Sequence, residues 1–273
     1  MAEAANLTCT MYVKQFDEQC RFFGPEGFGF PIVREFGTPS GLRGKYHQTG
    51  AGFVEIVEDP NNPNTFWDFI LSVEDPEAWR QRLLDQGHAP GEMEDMPGER
   101  RGFAVQAPSG VGLRIRSLGS GEEPLKYAKD PNGPNVIHFI ISWWPGDWAL
   151  DYAFLSDALD LVTSRGRSAE GKRIAFMRAA YGGRGIVEVL DKQNDPYPGD
   201  GLHWRMAVMV DDAAAFHDRL SKAGFGVTDV ELSAQGWPAF TASAPAGQDV
   251  YVAEIPEGTM PGLLGEPAGL SQD

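Results

Sequence analysis

The sequence reads VEDPEAWRQRLLDQG at residues 73–87 and VDDAAAFHDRLSKAG at residues 210–224, which is the same helical pattern twice. We call the spacing that carries residue 73 onto residue 210 the repeat offset, and it continues without a gap into two turns. These turns are Ala107-Pro108-Ser109-Gly110 and Ala244-Pro245-Ala246-Gly247. Because chance rarely keeps one register for so long, we infer that the chain contains a tandem duplication.

Each copy predicts the same order of elements. An alternating strand leads into an acidic helix start, and the helix ends at Gly87 or Gly224, a residue type that suits a helix C-cap. After the glycine we expect further strands, the Ala-Pro-x-Gly turn and a last strand. One unit is therefore a strand, a helix and then three strands.

Two weaker units precede these copies. Each ends in a short apolar strand with a central glutamate, FVEIV at residues 53–57 and IVEVL at residues 186–190, and the spacing between these strands is slightly shorter than the repeat offset. The difference is explained if the Asn-, Asp- and Pro-rich connector at 191–200 is longer than its counterpart at 58–64. The predicted units are 6–58, 65–117, 135–191 and 202–256, which make an N-terminal domain 1–117, a linker 118–134, a C-terminal domain 135–256 and a tail 257–273.

Charge and composition narrow the class of protein. The 39 acidic residues exceed the 23 basic ones, which gives a net charge of −16, so nucleic acid and anionic membrane are unfavourable partners. Neither a membrane-spanning run nor a secretory signal is evident, and we expect a cytoplasmic protein. The two cysteines, Cys9 and Cys20, are expected to be buried thiols. Pairing of units within one chain permits a monomer, and exposed sheet edges also permit a homodimer.

A strand, a helix that opens with Val-Asp-Asp and closes on Ala-Gly, and a Pro-x-Gly turn before the last strand resemble the vicinal oxygen chelate superfamily. That superfamily includes glyoxalases, extradiol dioxygenases and bleomycin resistance proteins. The resemblance implies an α+β fold of four βαβββ modules, paired into two incomplete-barrel domains that each curl around a cavity. A shared fold does not fix the chemistry.

The resemblance also implies where site residues lie, because inward positions on the first and last strands of paired units converge on one point. In the C-terminal cavity these positions are His138, Glu188, Arg205 and Tyr251. The N-terminal cavity, with its less promising chemistry, would present Thr8, Glu55, Asp68 and Arg114.

Two arrangements of the C-terminal site are open. If a bulge near Trp204 turns His203 inward, then His138, Glu188 and His203 would form a ligand set for a divalent Fe, Mn, Ni or Zn ion. If Arg205 points inward instead, its charge would oppose a metal and favour an anionic ligand.

The last strand departs from the superfamily pattern, since Tyr251 stands where a glutamate is expected. The departure disfavours an extradiol dioxygenase, and the phenol of Tyr251 becomes a candidate catalytic acid or substrate contact. Three tryptophans, Trp143, Trp144 and Trp148, would line or cover a ligand cavity, with packing between the domains as the alternative.

The sequence therefore predicts a metal-dependent lyase, isomerase or dioxygenase that acts on a small oxygenated organic substrate in the C-terminal barrel, with a structural N-terminal barrel. The alternative is a metal-free protein that binds an antibiotic or another aromatic ligand. Metal binding by His203 separates the two hypotheses.

Overall fold

The computed structural model describes residues 4–37, 41–49, 52–61, 66–96, 99–119, 135–167, 173–179, 186–191, 203–233, 235–256 and 270–271. Within them the chain forms two curled β-sheets with few helices, which confirms the α+β fold and the two incomplete barrels. The described strands as far as Ser117 form the first sheet, and those from Val136 onward form the second. Most of the predicted linker, residues 120–134, is outside the described residues.

The N-terminal sheet has eight described strands in the order β2-β3-β4-β1-β5-β8-β7-β6. Strands β1 and β5 pair antiparallel at its centre, so the first strands of the two units lie side by side. Its elements are β1 (Ala4–Val13), α1 (Phe16–Phe23), β2 (Ile32–Gly37), β3 (Arg43–Thr49), β4 (Gly52–Glu58), β5 (Phe66–Val73), α2 (Pro76–Asp85), β6 (Glu94–Met96), β7 (Arg100–Gln106) and β8 (Gly112–Ser117).

The C-terminal sheet repeats this plan in the order β14-β16-β17-β13-β9-β12-β11-β10-β18, with β15 paired to β16. Its last two described residues, in β18, pair with the edge strand β10, so this end of the predicted tail extends the sheet. The elements are β9 (Val136–Trp144), α3 (Trp148–Ala153) with a π-helical turn (Phe154–Ala158), β10 (Val162–Arg167), β11 (Ile174–Arg178), β12 (Ile186–Leu190), β13 (His203–Val210), α4 (Ala213–Lys222), β14 (Gly226–Val227), β15 (Glu231–Leu232), β16 (Pro238–Ser243), β17 (Asp249–Glu254) and β18 (Leu270–Ser271).

The duplication inferred from the sequence also appears in strand register. Phe69 of β5 pairs with Leu113 of β8, and Met206 of β13 pairs with Val250 of β17, so both partners shift together by the repeat offset. Residues related by this offset therefore occupy equivalent places in the two sheets.

Helix ends follow the local sequence signals. Asp75 and Asp212 are the N-caps of α2 and α4, and their carboxylates accept hydrogen bonds from Ala78 N at 3.0 Å and Ala215 N at 2.8 Å. Gly87 and Gly224 follow these helices with φ of +84° and +85°, where a Cβ would be strained. The predicted helix starts and stops are thus confirmed.

Loss of one N-cap gives a first testable prediction. Asp212→Ala should lower the free energy of unfolding by roughly 1 kcal/mol, because the N–H of Ala215 loses its acceptor. Urea denaturation provides the measurement, and Asp218→Ala on the exposed face of α4 is the control. Equal effects of the two substitutions would contradict the capping role.

A single apolar core contains the helix-side residues of both sheets, including Phe22 and Phe216 from α1 and α4. Cys9 and Cys20 lie in this core as buried thiols that are not joined in a disulfide, as expected. The face of each sheet that points away from the helices is called the inner face below. No helix in the described part of the chain is both long and apolar enough to cross a membrane.

The contacts between the halves occur in pairs related by the repeat. Arg82 of α2 donates to the carbonyl of Asp157 at 2.9 Å, and its counterpart Arg219 of α4 donates to the carbonyl of Pro25. The Ala-Pro-x-Gly turns also reach across the boundary between the halves. Ser109 N donates to Asp151 at 3.1 Å, and Ala246 N donates to Gln19 at 3.0 Å.

Candidate ligand site in the C-terminal half-barrel

A glutamate and a hydroxyl group occur at the same place in both sheets. Glu55 of β4 pairs with Thr10 of β1, and Glu188 of β12 pairs with Ser142 of β9. The hydroxyl groups donate to the carboxylates at 2.5 Å in the first sheet and 2.6 Å in the second. The two pairs differ in their surroundings, and this difference makes Glu55 a structural residue and Glu188 a candidate site residue.

In the N-terminal half-barrel, arginines occupy the space beside the glutamate. Arg116 lies 2.8 Å from the Glu55 carboxylate and Arg100 lies 3.4 Å from it, and all three side chains are buried. Burial alone would raise the pKa of Glu55, but Arg116 and then Arg100 hold that pKa below its ordinary value. Arg116 also donates to Tyr46, so the inner face is filled by a charged network.

Arg116, two residues beyond the predicted Arg114, reaches the centre of this half-barrel. Arg114 is partly exposed and forms an ion pair with Glu94 at 3.0 Å. Thr8 is buried on β1. Asp68 is described only through its backbone, which pairs with Thr10.

In the C-terminal half-barrel, different residues occupy the positions of those arginines. The repeat offset places Trp237 where the first sheet has Arg100, and Ala253 where it has Arg116. Burial consequently raises the pKa of Glu188, and the Ser142 hydroxyl and Arg205 offset this effect only in part. Equivalent glutamates thus have pKa values shifted in opposite directions.

Arg205 lies on the inner face, where its backbone pairs with Ser142. Its guanidinium carbon is 5.1 Å from the ring centroid of Trp144 and 4.6 Å from that of Tyr251. Glu188, Ser142 and Arg205 therefore form one row across three neighbouring strands. This row gives the inner face an acid, a hydroxyl group and a cation at one level.

Tyr251 is half-buried on β17, one row further along, where its backbone pairs with Ala207. Burial raises the pKa of its phenol against the opposing effect of Arg205, and Ser233 is a hydrogen-bond neighbour. The phenol is therefore protonated at neutral pH and is able to donate a hydrogen bond.

The three predicted metal ligands are not at one level of the sheet. His138 lies four residues before Ser142 on β9, which corresponds to roughly 13 Å along the strand. His203 is described only through its backbone, which pairs with Trp144. Among the residues whose side chains are described, no group of three His, Cys, Asp or Glu residues is arranged to hold a metal ion.

His138 itself is 4% exposed, and burial lowers its pKa to about 4. Its imidazole is therefore neutral at physiological pH. Because it pairs with Met209 two rows from the Glu188 row, it lines the opposite end of the inner face.

Only one of the three predicted tryptophans is on the inner face. Strand alternation places Trp144 beside Arg205, whereas Trp143 is buried in the core on the helix side of β9. Trp148 belongs to the same core and donates from its indole N–H to the Val189 carbonyl at 3.1 Å. Trp143 and Trp148 therefore pack in the core, and these contacts do not test the alternative of packing between the domains.

The sequence interpretation missed three residues around Glu188, which are Ser142, Trp237 and Phe176 of β11, whose backbone pairs with Glu188. A comparison of each inner-face residue with its counterpart at the repeat offset would have identified Trp237, which stands at the position of Arg100. No sequence pattern marked Ser142, because it is a small residue inside an apolar strand.

Comparisons with known proteins bear on the fold. No family model matches the sequence, and no curated protein matches it. Solved structures with the same fold include a Mn(II)-bound glyoxalase from Novosphingobium aromaticivorans, at 17% identity and a TM-score of 0.62 over 93% of this chain and 83% of that one. Also similar are the 2,3-dioxygenase LapB from Pseudomonas sp. KL28 (14%, 0.60, 93% and 93%) and homoprotocatechuate 2,3-dioxygenase from Arthrobacter globiformis (13%, 0.61, 93% and 80%).

The chain therefore has the fold of the vicinal oxygen chelate proteins, as the sequence resemblance implied. Among the structures named here, the Novosphingobium glyoxalase shares the highest sequence identity with it. At these identities the likeness establishes the fold, and the chemistry depends on the residues of this chain.

Proposed function

We propose that the C-terminal half-barrel binds a small oxygenated organic molecule on its inner face, and that the N-terminal half-barrel is its structural partner. The observation that carries this proposal is the contrast between Glu55 and Glu188. Arg116 and Arg100 lie 2.8 Å and 3.4 Å from the Glu55 carboxylate. At their places the second sheet has Ala253 and Trp237, so burial disfavours the charged form of Glu188. Perturbed acids without a complete ion-pair network are characteristic of functional sites.

The residues around Glu188 supply complementary groups for such a ligand. Arg205 carries a positive charge that attracts an anionic or polarised oxygen. The phenol of Tyr251 is able to donate a hydrogen bond, and Glu188 is able to exchange a proton with the ligand. These roles require no group other than the side chains of this row and the next.

The described residues do not fit a divalent metal ion, which the fold family suggests. Glu188 and His138 are separated along the strand, and the cation of Arg205 occupies the same row as Glu188. A metal-dependent lyase, isomerase or dioxygenase is the second candidate function. It is favoured by the position of His203, two residues before Arg205 on β13, where its backbone pairs with Trp144.

Metal content separates these two functions. We expect protein purified without chelators to contain no stoichiometric metal, and to remain so after incubation with Fe(II), Mn(II), Ni(II) or Zn(II). Elemental analysis of wild type, Glu188→Ala, His138→Ala and His203→Ala provides the measurement. One equivalent of metal that is lost in the Glu188 and His203 variants would establish the second candidate instead.

Ligand binding tests the proposed function directly. Titration calorimetry with catechol, benzoate and 4-hydroxybenzoate should detect binding of at least one compound, and Arg205→Met should weaken it by roughly thirtyfold or more. The matched control is Arg101→Met, which removes a half-exposed arginine from the N-terminal sheet. Binding that both variants retain equally would contradict a role for Arg205.

A further inference from the structure

A second, separate apolar cluster lies on the inner face of the C-terminal sheet. Three partly exposed aromatic side chains, Phe176, Trp237 and Tyr251, pack against it. Its buried members are Ile140, Ala207, Met209, Ala239, Ala253 and Ile255.

The pairing of the strands shows where this cluster lies relative to the row of Glu188, Ser142 and Arg205. Ile140 and Ala207 pair with each other one step beyond the row of Glu188, Ser142 and Arg205, and Tyr251 pairs with Ala207 at the same level. Met209 and Ala253 lie one step further. The inner face therefore changes from the polar row of Glu188, Ser142 and Arg205 to mainly apolar side chains two rows further, where the neutral imidazole of His138 lies at the level of Met209.

The repeat shows that this apolar end is particular to the C-terminal half. At the equivalent places the N-terminal sheet has Ser72, Arg100 and Arg116, and the second sheet has Met209, Trp237 and Ala253. In the first sheet the two arginines neutralise the charge of Glu55. The second sheet has Trp237 and Ala253 at these places, so the surroundings of Glu188 are more apolar. The same fold thus has a charged interior in one half and an amphipathic inner face in the other.

The polar end contains a further donor. The indole N–H of Trp144 is buried, and it has no hydrogen-bond partner among the described residues. A buried donor of this kind needs an acceptor, because an unmade hydrogen bond in an apolar environment is costly. The donor lies in a side chain that stacks against Arg205, so an oxygen atom of a ligand held there would accept from the indole N–H beside the positive charge of Arg205.

We propose that the ligand is an amphiphilic organic anion, with a carboxylate head at Arg205 and Trp144 and an apolar body along Phe176, Trp237 and Tyr251. This inference rests on the proposed function and names its ligand class. The planar carboxylate matches the guanidinium fork of arginine. The apolar body covers the aromatic side chains that are partly exposed in the protein alone.

Benzoate and 4-butylbenzoate test this assignment, because they share a head and differ by a butyl tail. Each buried methylene raises affinity about fourfold, and the butyl tail adds the equivalent of four, so calorimetry on wild type should show 4-butylbenzoate binding roughly 250-fold more tightly. Trp237→Ala and Phe176→Ala should each lower this ratio. Leu232→Ala, at a side chain that is 73% exposed on the neighbouring strand, should leave the ratio unchanged. Urea midpoints verify that each variant is folded.

The outcomes distinguish the ligand class from the proposed function. A ratio near one in wild type, with benzoate binding that still depends on Arg205, would overturn the amphiphilic ligand and leave the site intact. Arg205-dependent binding of catechol without binding of either benzoate would overturn the carboxylate head. If no compound binds in an Arg205-dependent way, the proposed function fails together with this inference.

Discussion

Glu55→Gln should destabilise the protein by roughly 3–5 kcal/mol, the range expected when one partner of a buried ion pair is removed. The Glu55 carboxylate is 1% exposed and lies against Arg116 and Arg100, so the neutral amide would leave two buried guanidinium groups without their anion. The loss should appear as a lower urea midpoint at an unchanged slope.

Glu188→Gln is the matched control, because it makes the same chemical change at the equivalent place in the second sheet. Burial already favours the uncharged form of Glu188, so its amide should change the free energy of unfolding by less than roughly 1 kcal/mol. Equal losses at the two positions would refute the division into a structural and a functional half-barrel.

Acid should destabilise the protein through His47. This side chain is 0% exposed on β3, and burial lowers its pKa from 6.5 to about 4. Below pH 6.5 the unfolded chain binds the proton and the folded chain does not, so stability falls as the pH decreases toward the folded pKa. The loss attributable to His47 should be roughly 1.4 kcal/mol per pH unit within this window.

Urea denaturation of wild type and His47→Leu at pH 7 and pH 5 measures this contribution. The fall in stability between the two pH values should be smaller in the variant by about 2 kcal/mol. Other titrating groups, such as Glu55 and Asp151, are present in both proteins and cancel in the comparison. Parallel pH profiles would show that His47 is able to accept its proton in the folded state.

Much of the fold could be predicted because its signals are local and occur twice. The acidic residue before each helix and the glycine after it were informative, since Asp75, Asp212, Gly87 and Gly224 cap the helices in the structure. The ungapped offset then carried the assignment from one unit to another. Equal spacing of strands in the sequence became equal register in the sheets.

The candidate site was harder to predict because it depends on which residues of neighbouring strands pair with one another. A shift of four residues along β9 separates His138 from Ser142, and only the pairing of β9 with β12 shows which residue faces Glu188. A shift of one residue decides that Trp144 is on the inner face and that Trp143 is in the core. Local pattern in a strand with apolar residues on both faces does not settle either choice.

The paired contacts between the halves affect how the protein unfolds. Arg82 and Arg219 each donate a hydrogen bond to a carbonyl of the opposite half, and one apolar core is shared by the two halves. Neither half keeps a complete covering for its helices after separation, so melting should be a single cooperative event for the whole chain. A ligand held by Arg205 would therefore slow amide exchange in the N-terminal strands that it never touches.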